Sequence, residues 1–354
     1  MAPEEDMTRR DFTANAIAWH TDTGEFVDPL NGREDILNKT LRMTRPQAFE
    51  EDPLRSVRAV IAFARHGLMP DQKTLAALRE NAHRIRSLPG ERIYEEVNKL
   101  MNVKQPAHAL SLAHSAGILR YLFPEVDKCF GVDQLNPHHD LDVGHHIMKV
   151  FEHACDITVN PDVRMAALFH DIGKPDSKWV DEKGIGHFYY HPKYPESANH
   201  DELGASMAEQ ALERMRFPKE RIREITKLVR LHMFPTFKSI KGARKFLANA
   251  GDLATAEKLL DLRQADHSGK GKGLSANELS ETDLMRDLVR QAVKENHPTN
   301  LKQLAVNGSD IVEMGIKGPE VGRVLKELMD IVIDNPDRNN RDDLLGMIPN
   351  IANG

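Results

Sequence analysis

The chain has 354 residues, 29% of them charged, 40% hydrophobic and only 6% aromatic, with a formal net charge of −6. That length suits two or three units of a soluble, helix-rich protein, and the acidic balance excludes a surface that is basic overall, so any nucleic-acid contact must come from local patches. Two cysteines, Cys129 and Cys155, give no disulfide framework and predict a reducing, cytoplasmic compartment; no apolar stretch approaches membrane-spanning length, and the charged N-terminus is no signal peptide.

Residues 9–19 and 24–29 read as two strands, because Phe12, Ala14 and Ala16 alternate with Thr13 and Asn15, and Thr21-Asp22-Thr23-Gly24 supplies a turn. A lone hairpin is marginal and leaves an edge unpaired, so a second polypeptide, more chain or a second copy is expected to cover it. Residues 31–125 read as helical; Asp52 and Arg55, taken alone, are an exposed helical ion pair. Pro124-Glu125-Val126 and the polar stretch through Asp133, Asn136 and Pro137 mark the next boundary.

From 126 to 273, helical segments carry a spaced series of metal-ligand types. His146 stands beside the stripe Ile147, Val150, Phe151 and Ala154. The run Ala166-Ala167-Leu168-Phe169-His170-Asp171-Ile172-Gly173-Lys174 brings an apolar helix directly into two polar ligands and then predicts a break at Gly173. His200, His232 and Asp266 follow, the last after Leu259, Leu260 and Leu262. Imidazoles and carboxylates suit borderline and hard divalent ions, and burial of such groups is costly without a partner that a metal can supply. His200 and His232 suit a second ion or a phosphate, or ordinary core or surface positions. His138, His139, His145, His187 and His191 read as supporting or surface groups rather than ligands. Gly269-Lys-Gly-Lys-Gly273 reads as a loop, able to approach phosphate or simply to turn, and 274–354 as a final helical segment. The basic runs Arg221, Arg223, Lys227, Arg230 and Lys238, Lys241, Arg244, Lys245 would serve nucleic acid; at helical spacing such runs are more often solvated faces.

The set His146, Phe169-His170-Asp171-Ile172-Gly173-Lys174 and Asp266 resembles the HD phosphohydrolase superfamily. With its flanks, Gln134-Leu-Asn-Pro137-His-His139-Asp-Leu-Asp142, His200-Asp-Glu-Leu-Gly204-Ala205 and Arg263-Gln-Ala-Asp266, it looks like the HD domain attached to bacterial CCA-adding tRNA nucleotidyltransferases. The N-terminal region resembles the same class II nucleotidyltransferases through Arg9-Arg10-Asp11-Phe12-Thr13-Ala14-Asn15-Ala16, Asp28-Pro29-Leu30-Asn31-Gly32-Arg33-Glu34-Asp35, Glu51-Asp52-Pro53-Leu54-Arg55-Ser56-Val57-Arg58 and Glu91-Arg92-Ile93-Tyr94-Glu95-Glu96. Gly308, Gly315 through Gly322 and Asn335-Pro336 look like the family's C-terminal segment.

The resemblance implies a mainly α protein. It would comprise a remnant β-hairpin of a nucleotidyltransferase head (1–30), a helical neck with nucleotide-template helices (31–125), a helical HD domain (126–273) and a helical, tRNA-binding-like tail (274–354). It implies a divalent metal, Ni, Mn, Co or Mg, at His146, His170, Asp171, His200, His232 and Asp266, with His170, Asp171 and Lys174 as catalytic groups. It places nucleotide binding at Arg9, Arg10, Asp11, Asn15, Asp52, Arg55 and Arg58, where Asp52 and Arg55 would read the Watson–Crick edge of CTP or ATP. One departure lies in the template helix, where Ile61 stands in place of a further Arg.

Phosphoryl transfer in that family needs a Gly-Gly phosphate turn and an Asp-x-Asp pair holding magnesium. No Gly-Gly-x-x-Arg and no suitable Asp-x-Asp is present. Two functions are therefore expected. One is the template and tRNA-binding part of a split CCA-adding enzyme, whose partner polypeptide supplies those motifs and their Mg, with a metal-dependent HD phosphohydrolase unit that trims or repairs RNA ends. The other is a free-standing HD phosphohydrolase acting on 2′,3′-cyclic phosphates or other nucleotides. A third, weaker one is a tRNA-binding module without activity.

Overall fold

The computed structural model describes residues 3–135, 140–191, 193, 198–270 and 276–352. The fold is mainly α, as expected, with three short two-stranded pairings among the described residues. The chain divides into two compact units: residues 1–232 with 264–273, and residues 233–263 with 274–354. The second unit thus takes in 233–263 as well as the tail, because helix Ile240–Ala250 packs on Ala276–Lys294 and Pro319–Asp334. Its buried Arg244 donates from Nε to the Ile333 carbonyl at 2.6 Å, and Leu304, Val324, Leu328, Val332 and Leu344 fill its core.

The expected long N-terminal strand does not form. Ala18–His20 and Glu25–Val27 pair, antiparallel with Trp19 opposite Phe26, while Phe12 makes a single antiparallel bridge to Met43 and Thr13–Asn15 is a 3₁₀ turn. The alternation of Phe12, Ala14 and Ala16 has a different cause. Phe12 and Ala16 are buried, but Thr13 is buried too, its hydroxyl donating to Asp35 at 2.7 Å, and Asn15 turns back to Asp11 at 2.9 Å. Arg42 closes the knot with Nε 3.0 Å from Asp35, whose carboxyl is held below its ordinary range by Arg42 and Thr13 against the opposing push of burial. Asp28 accepts from the backbone N–H groups of Gly32 and Arg33 at 2.7 and 2.9 Å, and a Cβ at Gly32 would overlap the Thr13 carbonyl.

Helix Leu54–His66 buries Leu54, Val57, Val60 and Ile61 and stops at Gly67, whose left-handed φ of 67° lets its N–H reach the Phe63 carbonyl. Helix Gly90–Met101 buries Ile93, Val97, Leu100 and Met101. Further along, Asp142 caps helix Val143–Ile157 by accepting from His145 N at 2.8 Å, so the second Asp of Asp140-Leu-Asp142 serves the fold. Asn160 caps Pro161–Phe169, which is buried from Val163 to Phe169. This central helix packs against Val143–Ile157 and Lys219–Leu231. Both cysteines are buried and free. Among the described residues no helix is long and apolar enough to cross a membrane.

Candidate metal centre and nucleotide site

Five pieces of chain deliver six ligand-type side chains to one buried point. His146 comes from the first turn of Val143–Ile157, His170 and Asp171 from the turn that ends Pro161–Phe169, and His200 from the start of His200–Arg214. His232 caps Lys219–Leu231, and Asp266 lies near the end of Leu253–Ser268. His146, His170 and Asp266 form one potential ligand group and Asp171, His200 and His232 a second; within each, the donor atoms lie within 4.8 Å of one another. Asp171 faces both. Its Oδ2 is 3.3 Å from His146 Nε2 and 3.2 Å from His170 Nε2, while Oδ1 is 3.5 Å from His200 Nε2 and 3.9 Å from His232 Nε2. Asp266 Oδ1 is 3.1 Å from His146 Nε2.

The imidazoles are oriented for coordination. Each Nδ1 faces a backbone carbonyl: His146 that of Gly269 (3.2 Å), His170 that of Ala167 (2.8 Å), His200 that of Phe188 (2.9 Å) and His232 that of Val229 (2.7 Å). A carbonyl can only accept, so Nδ1 of every ring is protonated and Nε2 points inward, its lone pair free for a metal once any second proton has left. His170 Nε2 and His146 Nε2 then approach to 3.3 Å, a repulsive pairing unless a proton or cation lies between or beside them. His200 Nε2 and Asp171 Oδ2 are buried without a hydrogen bond, although Oδ2 makes a charge contact with Lys174 Nζ at 2.7 Å. Converging lone pairs, two carboxylates and orphaned buried polar atoms fit a divalent ion, and the two ligand groups joined by Asp171 fit a pair.

Titration reflects the same crowding. Burial pushes His146 down, but the nearby carboxylates of Asp171 and Asp266 outweigh it and raise His146 to about 9. Burial with the neighbouring His170 and His200 depresses His232 to about 4, and burial lowers His200. Asp171, opposed by burial, is held well below the carboxylate range by His170 and Lys174; Asp266 is likewise lowered, by His146. In the metal-free protein a proton on His146 thus offsets the carboxylates at neutral pH. An ion must displace it, so metal binding is expected to release close to one proton below pH 9 and to weaken about tenfold per pH unit on acidification toward neutrality, flattening above 9. Calorimetry in buffers of different ionisation enthalpy reads this directly; a pH-independent affinity between 7 and 9 contradicts it.

Lys174 is almost fully buried, and besides Asp171 it donates to Gln134 Oε1 at 2.9 Å. Gly173 differs from its expected role as a helix stop. Its φ is −79°, and its small size is needed because a Cβ would overlap the His200 carbonyl and crowd Gly204 N. That close approach sets the His170-Asp171 turn against the start of the His200 helix. The sequence placed Gly269 only in a loop and Gln134 only in a flanking motif, whereas the Gly269 carbonyl orients His146, a Cβ there would collide with Val150, and Gln134 holds Lys174; Phe188 as a support was missed. Of the supporting histidines, His145 is exposed and pairs with Asp142 at 2.9 Å, and His187 pairs with Asp181 at 2.9 Å. His138 and His139 lie outside the described residues, as do Gly271–Gly273 of the Gly-Lys run.

The expected nucleotide-binding residues separate into two sets. Asp11, Asn15 and Arg58 meet at a cavity of about 360 Å³, with Arg58 2.9 Å from Asp11 Oδ2; Ile61, Arg65, Glu96 and Lys99 line it further. Arg10 donates to the Asn15 carbonyl at 2.8 Å and pairs with Asp6. Asp52 and Arg55 instead bind protein. Asp52 accepts from Arg92 at 3.0 Å, and Arg55 donates to the carbonyls of Arg9 (2.6 Å) and Ala48 (3.2 Å). The basic runs are largely consumed internally: Arg221 binds Asp162 and Asn98, Lys238 binds Glu281, Lys241 and Lys245 share Asp334, and Arg244 is buried.

Three family models match the chain in order: the poly A polymerase head domain over residues 1–42, the probable RNA and SrmB-binding site of polymerase A over 67–130, and the HD domain over 143–303. Among solved structures, the chain is similar to the Bacillus stearothermophilus CCA-adding enzyme in complex with CTP, with a TM-score of 0.68 and 21% identity over 99% of this chain and 74% of that one. It is also similar to the Thermotoga maritima CCA-adding enzyme complexed with tRNA, with a TM-score of 0.52 and 16% identity over 98% of this chain and 73% of that one. A further CCA-adding enzyme, in complex with CTP, matches with a TM-score of 0.55 and 16% identity, over 98% and 72%. Head, RNA-binding and HD segments thus follow one another in one polypeptide that shares the fold of the CCA-adding enzymes.

Proposed function

We propose that this chain combines a metal-dependent HD phosphohydrolase with the base-template and tRNA-binding part of a CCA-adding tRNA nucleotidyltransferase. In this reading a partner polypeptide bearing the Gly-Gly and Asp-x-Asp motifs supplies the magnesium-holding carboxylates of nucleotide transfer. The observation that carries the hydrolytic half is the convergence of four tautomer-locked histidines and two aspartates on one buried point. Ni, Mn or Co suit that imidazole-rich set better than Mg, which prefers oxygen ligands. Bound there, a divalent ion would lower the pKa of a water and neutralise phosphoryl oxygens. The chain's own contribution is to hold the ligand atoms and, through the buried Lys174 ammonium, to offer a positive charge toward a phosphoester. The transfer half is supported by the cavity at Asp11, Asn15 and Arg58, and by the exposed Trp19–Phe26 pair, 4.8 Å apart edge to face, on a hairpin with open edges. Substrates would be CTP, ATP and tRNA.

The free-standing phosphohydrolase remains the second reading, favoured by one observation: Asp52 and Arg55 are already engaged by Arg92 and by main-chain carbonyls. Nucleotide incorporation into a tRNA lacking its 3′ end separates the two. These 354 residues alone are expected to add neither C nor A at any magnesium concentration. A partner carrying the two motifs should restore addition, and Asp52→Ala or Arg55→Ala should then scramble base choice, because a base edge left without its partner costs about 1–3 kcal/mol. Addition by the pure chain would assign transfer to carboxylates such as Glu4, Glu5 and Asp6. Hydrolysis without addition in any mixture would favour the second reading.

A further inference from the structure

The outer face of the hairpin Trp179–Val180 and Gly186–His187, continuing through Tyr189 to His191, belongs to none of the roles above, yet its second strand and the continuation through Phe188 bear on the metal centre. On one side, Gly186 packs so closely on Gln134 that a Cβ would overlap the Gln134 carbonyl; its N–H donates to Leu135 at 2.9 Å, and Gln134 in turn holds Lys174. On the other, the Phe188 carbonyl orients His200 and accepts its backbone N–H at 3.0 Å, and the Phe188 ring lies 5.1 Å from the Lys174 ammonium. Phe188 therefore faces the site.

Its neighbours build an aromatic cluster on the outer side. Trp179 lies 4.3 Å from His187, 4.6 Å from His191 and 6.0 Å from Tyr189 between ring centroids. The cluster is braced: Trp179 Nε1 donates to the Tyr189 carbonyl at 2.9 Å, and the Tyr189 hydroxyl meets His187 Nδ1 at 2.8 Å. Even so, Tyr189 is 53% and Tyr190 45% exposed, where such rings would otherwise be buried for their apolar area. Beside Trp179 is a cavity of about 360 Å³, lined by Trp179, Val180, His191, the cations Lys183 and Lys193, and the carboxylates Asp181 and Glu182, of which Asp181 is already paired with His187. Rigid π-faces flanked by lysines bind single-stranded nucleic acid, because any base can stack while the lysines meet its phosphates.

We propose that this hairpin is the nucleobase subsite of the HD centre, where a base of a single-stranded RNA end stacks on one of the nearly perpendicular rings of Trp179 and Tyr189 and meets the other edge-on, while the adjoining phosphoester lies at the His–Asp cluster. The proposal rests on the phosphohydrolase reading for its reaction, but base binding can be measured without turnover. The chain has two tryptophans, so in Trp19→Phe protein fluorescence reports Trp179 alone. A single-stranded RNA trinucleotide should quench it, base-free ribose phosphate should not, and Tyr189→Ala should weaken the RNA effect about tenfold, within the range of one base stack. With metal added, Tyr189→Ala and Trp179→Ala should raise KM about tenfold for cytidine 2′,3′-cyclic phosphate but leave base-free ribose 2′,3′-cyclic phosphate unchanged, and Trp179→Phe should recover most of the loss. Turnover without quenching, or equal losses in kcat for both substrates, overturns the subsite and leaves hydrolysis standing. Quenching without turnover keeps the subsite and removes the hydrolase reading; absence of both removes both.

Discussion

Asp171→Asn is expected to abolish phosphodiester hydrolysis while the protein stays folded. Asp171 is the one residue whose two oxygens face both ligand groups, and it is the nearest anion to Lys174. The amide keeps the volume but removes the charge that would hold an ion and that balances the buried ammonium. Loss of a supporting group outside the ligand set alone costs 10–100-fold in metal affinity or activity, so loss of this bridging carboxylate should exceed about 100-fold. The measurement is hydrolysis of a 2′,3′-cyclic nucleotide with Mn, Ni or Co, with bound metal quantified and helicity checked by circular dichroism. Asp52→Ala, within the same unit but paired with Arg92 rather than with any of the six ligand-type residues, should leave this hydrolysis unchanged. Undiminished turnover by Asp171→Asn at equal metal content would sink the assignment of the centre.

That centre was legible because its chemistry restricts residue type. Few roles require His146, a His170-Asp171 pair, His200, His232 and Asp266 on successive helices, and all six meet. What orients them was not legible, since backbone carbonyls at Gly269, Phe188, Ala167 and Val229 leave no signature in residue identity. Gly173 was noticed for the wrong reason: glycine in a sequence suggests a helix stop, whereas here it is a contact point between two segments distant along the chain. The N-terminal alternation misled because Thr13 and Asn15 look like the solvated face of a strand, while they are occupied by Asp35 and Asp11 in a turn. The basic runs carried no information about their acidic partners, Asp162, Glu281 and Asp334, which lie elsewhere in the sequence.

Arg164→Met should remove a large part of the stability of the unit that holds the centre. Arg164 is 1% exposed, yet among its described contacts it meets no carboxylate. Its guanidinium donates to four carbonyls: Met101 at 2.8 Å and Val103 at 2.7 Å through Nη1, Cys155 at 3.2 Å through Nη2, and Thr158 at 2.9 Å through Nε. Met101 ends helix Gly90–Met101, and Cys155 and Thr158 lie at the end of Val143–Ile157, so these are the carbonyls that a helix leaves without an internal partner. The partial negative charge of two helix C-termini converges there and substitutes for a counter-ion. A methionine fills the volume but donates nothing. Each stranded carbonyl would cost about 1–3 kcal/mol, reduced because methionine spares the desolvation of a guanidinium, for a net loss of about 3–5 kcal/mol. Against a typical total of 5–15 kcal/mol, this is expected to lower the melting temperature by roughly 10 °C. Arg164→Lys should fall between the two, since one ammonium keeps the charge but cannot span four acceptors. Trp19 and Trp179 both lie in the affected unit, so tryptophan fluorescence during urea unfolding follows it specifically. An Arg164→Met protein unfolding at the unsubstituted midpoint would show that the carbonyls find other donors, and that the clamp joining the ends of Gly90–Met101 and Val143–Ile157 contributes little.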